Sequence, residues 1–550
     1  MIVMAVLSGI NFLYFAKKVS QLSFFVIQVP HRLIARPVTG SLRHVSPFLE
    51  WHMLEQVDVL VVGGGINGVG IARDAVGRGL SVVLCERDDL ASHTSSASTK
   101  LIHGGLRYLE QFEFALVGKA LAEREVLLKA APHIIWPLRF VLPHQPHLRP
   151  AWMIRIGLFL YDHLGRGRRT LPGSRRIRFS KHVVGGPLRD EFHVGFVYSD
   201  AWVQDARLVV LNAMDAAQRG AEINTHTRCI SAKRDGDLWI AELESEGGAR
   251  RTVRARALVN AAGPWAASFL DDIAKVKHDH ALRLIKGSHI VVPKLFDHRY
   301  AYIFQQPDRR IVFAIPYERD FTLIGTTDIE YKTDPSHPTI DKEETAYLCE
   351  ATNRYFKRNL TPADVVWSYS GVRPLLEDKS GNASEVTRDY HIELDGSSGP
   401  PLLNVFGGKL TTYRKLSEEA LDLLGEALGN AKPAWTADAR PLPGGGESDI
   451  DALLDDVRAS RPWLPETMAW RLVHNYGTRT RDLLGDANGL DALGEHFGAD
   501  LYQIEVDYLV RHEWATQAED ILWRRSKLGL RVSPDDVARL TAYLARNPAR

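Results

Sequence analysis

The sequence predicts an α/β protein in three parts: a nucleotide-binding β-α-β core, an antiparallel β domain and an all-helical C-terminus. Three observations carry this. An apolar run, Val57–Val62, leads into Gly63-Gly64-Gly65-Ile66-Asn67-Gly68, and a second apolar run ends at Glu86. Short strand-like runs recur between residues 280 and 395. Beyond Pro441-Leu442-Pro443-Gly444-Gly445-Gly446, which reads as a linker, helical patterns continue to the end. A chain of 550 residues is long enough for several domains.

The first unit reads strand, glycine turn, helix (Val69 to Arg78), strand (Leu80 to Leu84) and acid. Gly63 permits the tight turn, Gly65 the close approach of a pyrophosphate, and Gly68 the packing of helix on strand. The helix N-terminus then offers free N–H groups to phosphates, and Glu86 suits a ribose. The loop that follows, Thr94-Ser95-Ser96-Ala97-Ser98-Thr99-Lys100-Leu101-Ile102-His103-Gly104-Gly105-Leu106-Arg107-Tyr108-Leu109, suits a segment folded over a pyrophosphate and reaching a flavin ring.

Further along, residues 131–195 are rich in Pro, Arg and aromatics. Residues 196–275 return to alternating apolar strands that end at Asn260-Ala261-Ala262-Gly263. Ser288–Val292, Tyr302–Phe304, Ile311–Pro316 and Phe321–Gly325 predict an antiparallel substrate sheet. Residues 400–425 come back to the cofactor with a strand, Gly407-Gly408 and a helix. Ser533-Pro534-Asp535-Asp536 is a helix start, with an N-cap Ser, Pro at the first position and acids in the first turn.

Charge and cysteine content narrow the function class. Sixty-eight basic against 67 acidic residues give no bulk indication of a nucleic-acid partner. Cys85, Cys229 and Cys349 lie at unrelated spacings, so neither a disulfide framework nor a metal site is expected. Arg149 to Lys181 holds nine Lys/Arg and one acid, around the apolar stripe Trp152–Tyr161. Such a segment suits an anionic membrane interface. Residues 1–29 are apolar but split by Ala16-Lys17-Lys18, and neither half reaches the roughly 18–20 residues of a spanning helix. A wrongly chosen upstream start, a membrane anchor or a disordered extension are the three readings. Met53, just before the first strand, favours a start there.

Several blocks resemble one family, the FAD-dependent glycerol-3-phosphate dehydrogenases, in their bacterial, respiratory, aerobic form. They are Ser95–Leu109, Leu121–Leu128, Tyr198-Ser199-Asp200 with Asp205–Leu208, Leu258–Trp265, Ile285–Pro293, Ile324–Asp328, Ser370–Leu375, Thr387–Tyr390, Phe406–Arg414 and Ala518–Arg525. They run in family order from about Val57 to the C-terminus, and only the N-terminal extension departs. The resemblance implies a Rossmann-like FAD-binding domain of the D-amino-acid-oxidase/glutathione-reductase kind, an antiparallel β substrate domain and a C-terminal all-helical domain. Its expected boundaries are an extension at 1–56, an oxidoreductase body at 57–430 and a helical domain at 447–550. The FAD-binding part of the body is discontinuous, at 57–130, 196–280 and 396–430.

The resemblance further implies non-covalent FAD, oxidation of sn-glycerol 3-phosphate to dihydroxyacetone phosphate by hydride transfer from C2, and electron delivery to ubiquinone or a similar quinone. A peripheral protein on the cytoplasmic face of the inner membrane, working as a homodimer, is the expected state. FAD contacts are expected from Gly63, Gly64, Gly65, Ile66, Asn67 and Gly68, then from Glu86 and Arg87. Ser95, Ser96, Ser98, Lys100, Leu101, His103, Gly104 and Gly105 of the loop follow, with Ala262, Gly263, Gly408, Lys409, Leu410 and Thr411.

The chemistry must hold a dianionic phosphate and take a proton from the C2 hydroxyl, while the cofactor carries the redox step. Arginine suits the phosphate because its planar fork binds two oxygens. Arg107, Tyr108, Arg373, Arg388 and Lys409 are therefore the substrate candidates. Arg107, His289, Arg373 and Lys409 are the catalytic ones. An imidazole suits proton abstraction, which makes His289 the candidate base and His103 or Arg373 its alternatives. An oxygen-using glycerol-3-phosphate oxidase, an amine or amino-acid oxidase and a silent flavoprotein scaffold are the rival readings, since one fold serves many reactions.

Overall fold

The computed structural model describes residues 56–145, 149–165, 170–376, 389–396 and 399–547. The readings of the N-terminal extension, Met53 included, and of Arg388 lie outside the described residues.

The apolar run before the glycine turn forms the strand Gln56–Val62, which pairs in parallel with Val82–Cys85 on one side and Arg250–Asn260 on the other. Leu402–Phe406 and Glu222–Asn224 extend the parallel set, His391–Asp395 closes one edge, and Thr227–Asp235 and Leu238–Ser245 join as a hairpin on Arg250–Asn260. A parallel sheet of this kind is stable only when both faces are covered. Helices Ile66–Gly77, Asp205–Gln218 and Tyr413–Leu428 cover one face through Val69, Ala72, Leu208, Leu211 and Leu416. Trp239, Phe269 and Leu270 build the core on the other. Cys85 is buried in this sheet as a small apolar residue.

The second sheet is built on the long strand Leu282–Pro293. Phe321–Gly325 and Ile329–Glu330 pair along one side and Trp367–Leu376 along the other, all antiparallel. Ile311–Tyr317 and Ala301–Gln305 continue it. The four strand-like runs of the sequence thus sit where expected. The sheet is larger than the sequence suggested, because Ile135–Pro143 and Val194–Val203 extend it and Leu101–Ile102 and Arg175–Arg178 pair on Val194–Val203. The sequence places Val194–Val203 with the nucleotide-binding segment 196–280. In the structure it joins the substrate sheet, through a ladder with Ile135–Pro143 that runs from Ile135↔Val203 to Pro143↔Gly195. A strand buried on both faces carries no alternation to say which sheet it enters.

The C-terminal helices Ile450–Ser460, Glu466–Tyr476, Gln503–Glu513 and Pro534–Arg546 enclose a separate apolar core. Ser533 caps the last of them, accepting from the Asp536 N–H in a capping box. The segment read as a linker is a packed turn: Leu442 is buried, its N–H donates to Ala130 O, and a Cβ at Gly444 would lie 2.3 Å from Tyr476 O. Among the described residues no helix is long and apolar enough to cross a membrane.

Candidate active site

A cavity of about 820 Å³ opens where the two sheets meet. Its floor is the glycine turn. The helix that starts at Ile66 has Gly65 as its N-cap, no side-chain cap and no acid in its first turn, so its positive end faces the cavity undamped. Gly68 itself lies behind the turn. A Cβ there would sit 1.9 Å from Gly63 O, so only glycine lets helix and strand approach this closely.

Glu86 ends the second strand at the cavity wall. One carboxylate oxygen accepts from Gly64 N at 2.6 Å and the other from Asp88 N at 3.0 Å, which aims the group while leaving a lone pair on each oxygen. Burial pushes its pKa up. Beside it Arg87 lies over the Trp265 ring at 3.9 Å. Ser95 reaches across to the helix start, where its Oγ accepts from Ile66 N. Ser98, Leu101 and His103 follow along the wall, with Ala262 and Gly263 opposite and Gly408, Leu410 and Thr411 closing it. Asn67 donates to Gly407 O, but its Oδ1 is buried without a partner and faces this space. A phosphate-accepting helix end, an aimed carboxylate and an orphaned amide oxygen in one cavity fit a bound dinucleotide, FAD included.

At the other end the substrate sheet contributes His289, Thr326, Asp328 and Arg373. His289 lies flat against Tyr369, with ring centroids 4.8 Å apart and planes at 13°, and Gly325 leaves room for its other face. Its Nε2 is 2.9 Å from Thr99 Oγ1, while Nδ1 is buried without a partner. Burial, then the charges of Lys100 and Arg373, push its pKa down to about 3, so the imidazole is neutral at physiological pH. Arg373 Nη2 pairs with Asp328 at 3.0 Å, both half-exposed. Lys409 Nζ sits 4.2 Å over the Tyr108 ring, and burial with the Lys409 charge lowers His103 to about 4.

Not every candidate from the sequence faces the cavity. Lys100 holds a left-handed backbone with φ 60° and turns its ammonium inward, onto Asp205 at 2.7 and 2.9 Å and Ser96 O at 2.9 Å. It therefore supports the loop from behind. Gly104 N donates to Tyr161 Oη, Gly105 makes the turn at φ 72°, and Ser96 donates to His93 O. Gly64, Gly68, Ser96, Lys100, Gly104, Gly105 and the exposed Arg107 are not among the lining residues. Sequence reasoning passed over Thr99, Tyr369, Thr326 and Asp328. All four lie in or beside blocks it had marked; the ladder puts Tyr369 opposite His289, and side-chain contacts bring Thr99 to His289 and Asp328 to Arg373.

Residues 58–414 match the FAD dependent oxidoreductase family, and residues 435–543 match the C-terminal domain of alpha-glycerophosphate oxidase. The chain is 59% identical over 494 residues to a glycerol-3-phosphate dehydrogenase of Pseudomonas aeruginosa, covering 90% of this chain and 96% of that one. It is 53% identical over 476 residues to a D-erythritol 1-phosphate dehydrogenase of Brucella abortus, covering 86% and 94%. The solved glycerol-3-phosphate dehydrogenase of Bacillus halodurans, complexed with FAD, superposes with a TM-score of 0.70 at 27% identity, covering 90% of this chain and 94% of that one.

Proposed function

The chain belongs to the FAD dependent oxidoreductases, and from that premise we propose that it oxidises sn-glycerol 3-phosphate to dihydroxyacetone phosphate and passes the electrons to a membrane quinone. The observation that carries the substrate is the meeting of Arg373, Lys409 and the neutral His289 in the cavity that holds the dinucleotide cradle. The 59% identity to a glycerol-3-phosphate dehydrogenase over nearly the whole chain supports the same reading.

Bound FAD supplies the two-electron acceptor for C2. The protein does the rest. Arg373 exchanges Asp328 for the substrate phosphate, and its planar fork fixes two oxygens at once. Lys409, held over Tyr108, adds a second positive charge. The bare backbone at Gly287 keeps space open beside Thr326 Oγ1 and Arg373 Nη2. His289 takes the C2 hydroxyl proton at Nε2, the atom it shares with Thr99. Arg373 is one of the charges that depress His289. A dianion seated on Arg373 offsets that charge, so substrate binding raises the basicity of the base it is about to use.

Membrane attachment is supported by the helix Ala151–His163, which exposes Trp152, Ile156 and Phe159, with Phe112 and Phe114 exposed nearby. Arg149, Arg175, Arg176 and Arg178 carry positive charge on flanking segments. An apolar face rimmed by cations suits the surface of an anionic bilayer.

Anaerobic mixing of the FAD-loaded protein with glycerol 3-phosphate tests the substrate: rapid bleaching, restored by a soluble quinone analogue and only slowly by air, is expected. Fast recovery in air with peroxide formation would assign an oxidase instead. Faster bleaching by D-erythritol 1-phosphate would move the substrate to the longer polyol phosphate. Sedimentation with anionic vesicles, lost in Trp152→Glu/Phe159→Glu, tests attachment.

A further inference from the structure

Behind the substrate wall, on the side away from the cavity, lies a buried carboxylate. Glu344, in the first turn of the helix Lys342–Asn353, is almost wholly buried. Its Oε1 accepts from Ser288 Oγ at 2.9 Å and from Thr327 Oγ1 at 2.7 Å. Its Oε2 accepts from Asp341 N at 3.0 Å and pairs with Lys286 Nζ at 2.8 Å. Four donors fill the four lone-pair positions of one carboxylate. The ties reach further. Thr327 Oγ1 accepts from Ser288 N at 2.8 Å. Ser288 Oγ, having given its proton to Glu344, accepts from Ser370 Oγ at 2.8 Å on the neighbouring strand.

The position of these residues in the pleat gives the network its consequence. Successive residues of a strand point to opposite faces. Lys286 and Ser288 turn to Glu344, while Ile285, Gly287 and His289 line the cavity. In the short link between the strands Phe321–Gly325 and Ile329–Glu330, Thr327 likewise turns to Glu344, while Thr326 and Asp328 line the cavity. Ser370 faces the network across from Ser288, while Gly371 and Arg373 line the cavity. Lys286, Ser288, Thr327 and Ser370 are thus each the immediate chain neighbour of residues that line the cavity.

We propose that Glu344 is a positioning residue for the reaction, its single carboxylate setting the mutual distances of His289, Thr326, Asp328 and Arg373 by holding the three segments that carry them. The network stands apart from the glycine turn and from Glu86, so it acts on the substrate end of the cavity and leaves the dinucleotide end alone. Its role rests on the reading of that end as the glycerol 3-phosphate site.

Two variants test it. Lys286→Met/Glu344→Gln removes both charges together, so no buried ion is left unpaired, and Thr327→Val removes one hydroxyl at nearly constant volume. Each is measured for melting temperature, for FAD affinity by reconstitution, for KM and kcat with glycerol 3-phosphate, and for inorganic phosphate binding through the visible flavin spectrum. A displacement near 1 Å in a positioned group costs up to about a hundredfold in rate, so a fall of about tenfold to a hundredfold in kcat/KM is expected, with KM and the phosphate Kd raised and FAD affinity unchanged. Unchanged KM and phosphate binding would overturn the proposal. So would a loss of FAD affinity or of melting temperature in step with them, which marks general loosening. Absence of glycerol 3-phosphate turnover in the unsubstituted protein refutes the substrate reading instead, and is seen before either variant is made.

Discussion

Asp89 anchors the C-terminal domain to the loop that lines the FAD cavity. Its Oδ2 accepts from Arg524 Nε and Arg525 Nη1, both at 2.6 Å, and its Oδ1 from Arg525 Nη2 at 2.7 Å. The three side chains are 1%, 9% and 0% exposed. Asp89→Asn leaves both guanidiniums in place and takes away the charge they share. Removing one partner of a buried pair costs about 3–5 kcal/mol. Asparagine keeps one acceptor oxygen, so a loss of about 3 kcal/mol is expected. Asp88, one residue earlier, supplies the control: its side chain is 47% exposed, and it pairs with His93 and Arg87. Asp88→Asn should cost less than about 1 kcal/mol.

Urea unfolding followed by tryptophan fluorescence measures both, because Trp523 of the C-terminal domain stacks on Trp367 of the substrate sheet at 4.2 Å and reports their separation. Burial opposes ionisation of Asp89, but the charges and hydrogen bonds of Arg525 and Arg524 outweigh it and hold its pKa below 3.8. A depressed carboxyl contributes stability that is complete above its unfolded value and lost as pH falls through the folded one. The gap between the two proteins should therefore be constant from pH 5 to 8 and close only in acid below 3.8. Equal losses in Asp88→Asn and Asp89→Asn, or a gap that closes near neutrality, would refute the reasoning.

Other perturbations read the cavity directly. Gly68→Ala brings a Cβ to 1.9 Å from Gly63 O; overpacking of about 1–3 kcal/mol displaces the turn, and the purified protein should have lost most of its yellow colour, whereas full FAD content would show that the turn yields. His289→Asn should lower kcat by about 10²- to 10⁴-fold. In the unsubstituted free enzyme His289 protonates only below about 3, so kcat/KM should show no His289-dependent break between pH 5 and 8; a break near 6.5 that vanishes in the variant would contradict this. Burial pushes the Cys85 thiol well up and Cys229 to about 12, which leaves no thiolate to attach flavin. Acid precipitation should release all FAD into the supernatant, and flavin retained on the pellet would show a covalent bond.

Much of this protein is local and therefore legible in its sequence. The glycine turn, the acid after the second strand and the capped helix at Ser533 each depend on residues a few positions apart, and spacing alone places them. The strands of the substrate sheet announce themselves by apolar runs between turns. Tertiary structure alone decided which sheet Val194–Val203 enters, because a strand buried on both faces carries no address. It also decided the fate of charged groups. Lys100 reads as a cofactor ligand in its loop, yet Asp205, 105 residues away, draws its ammonium to the far side. Nothing near Glu344 in the chain suggests that Lys286, Ser288 and Thr327 meet on its carboxylate. Pairing between distant strands sets which face each side chain takes, and a buried charge goes wherever the chain returns with its counter-charge. Neither is written in the spacing of neighbouring residues.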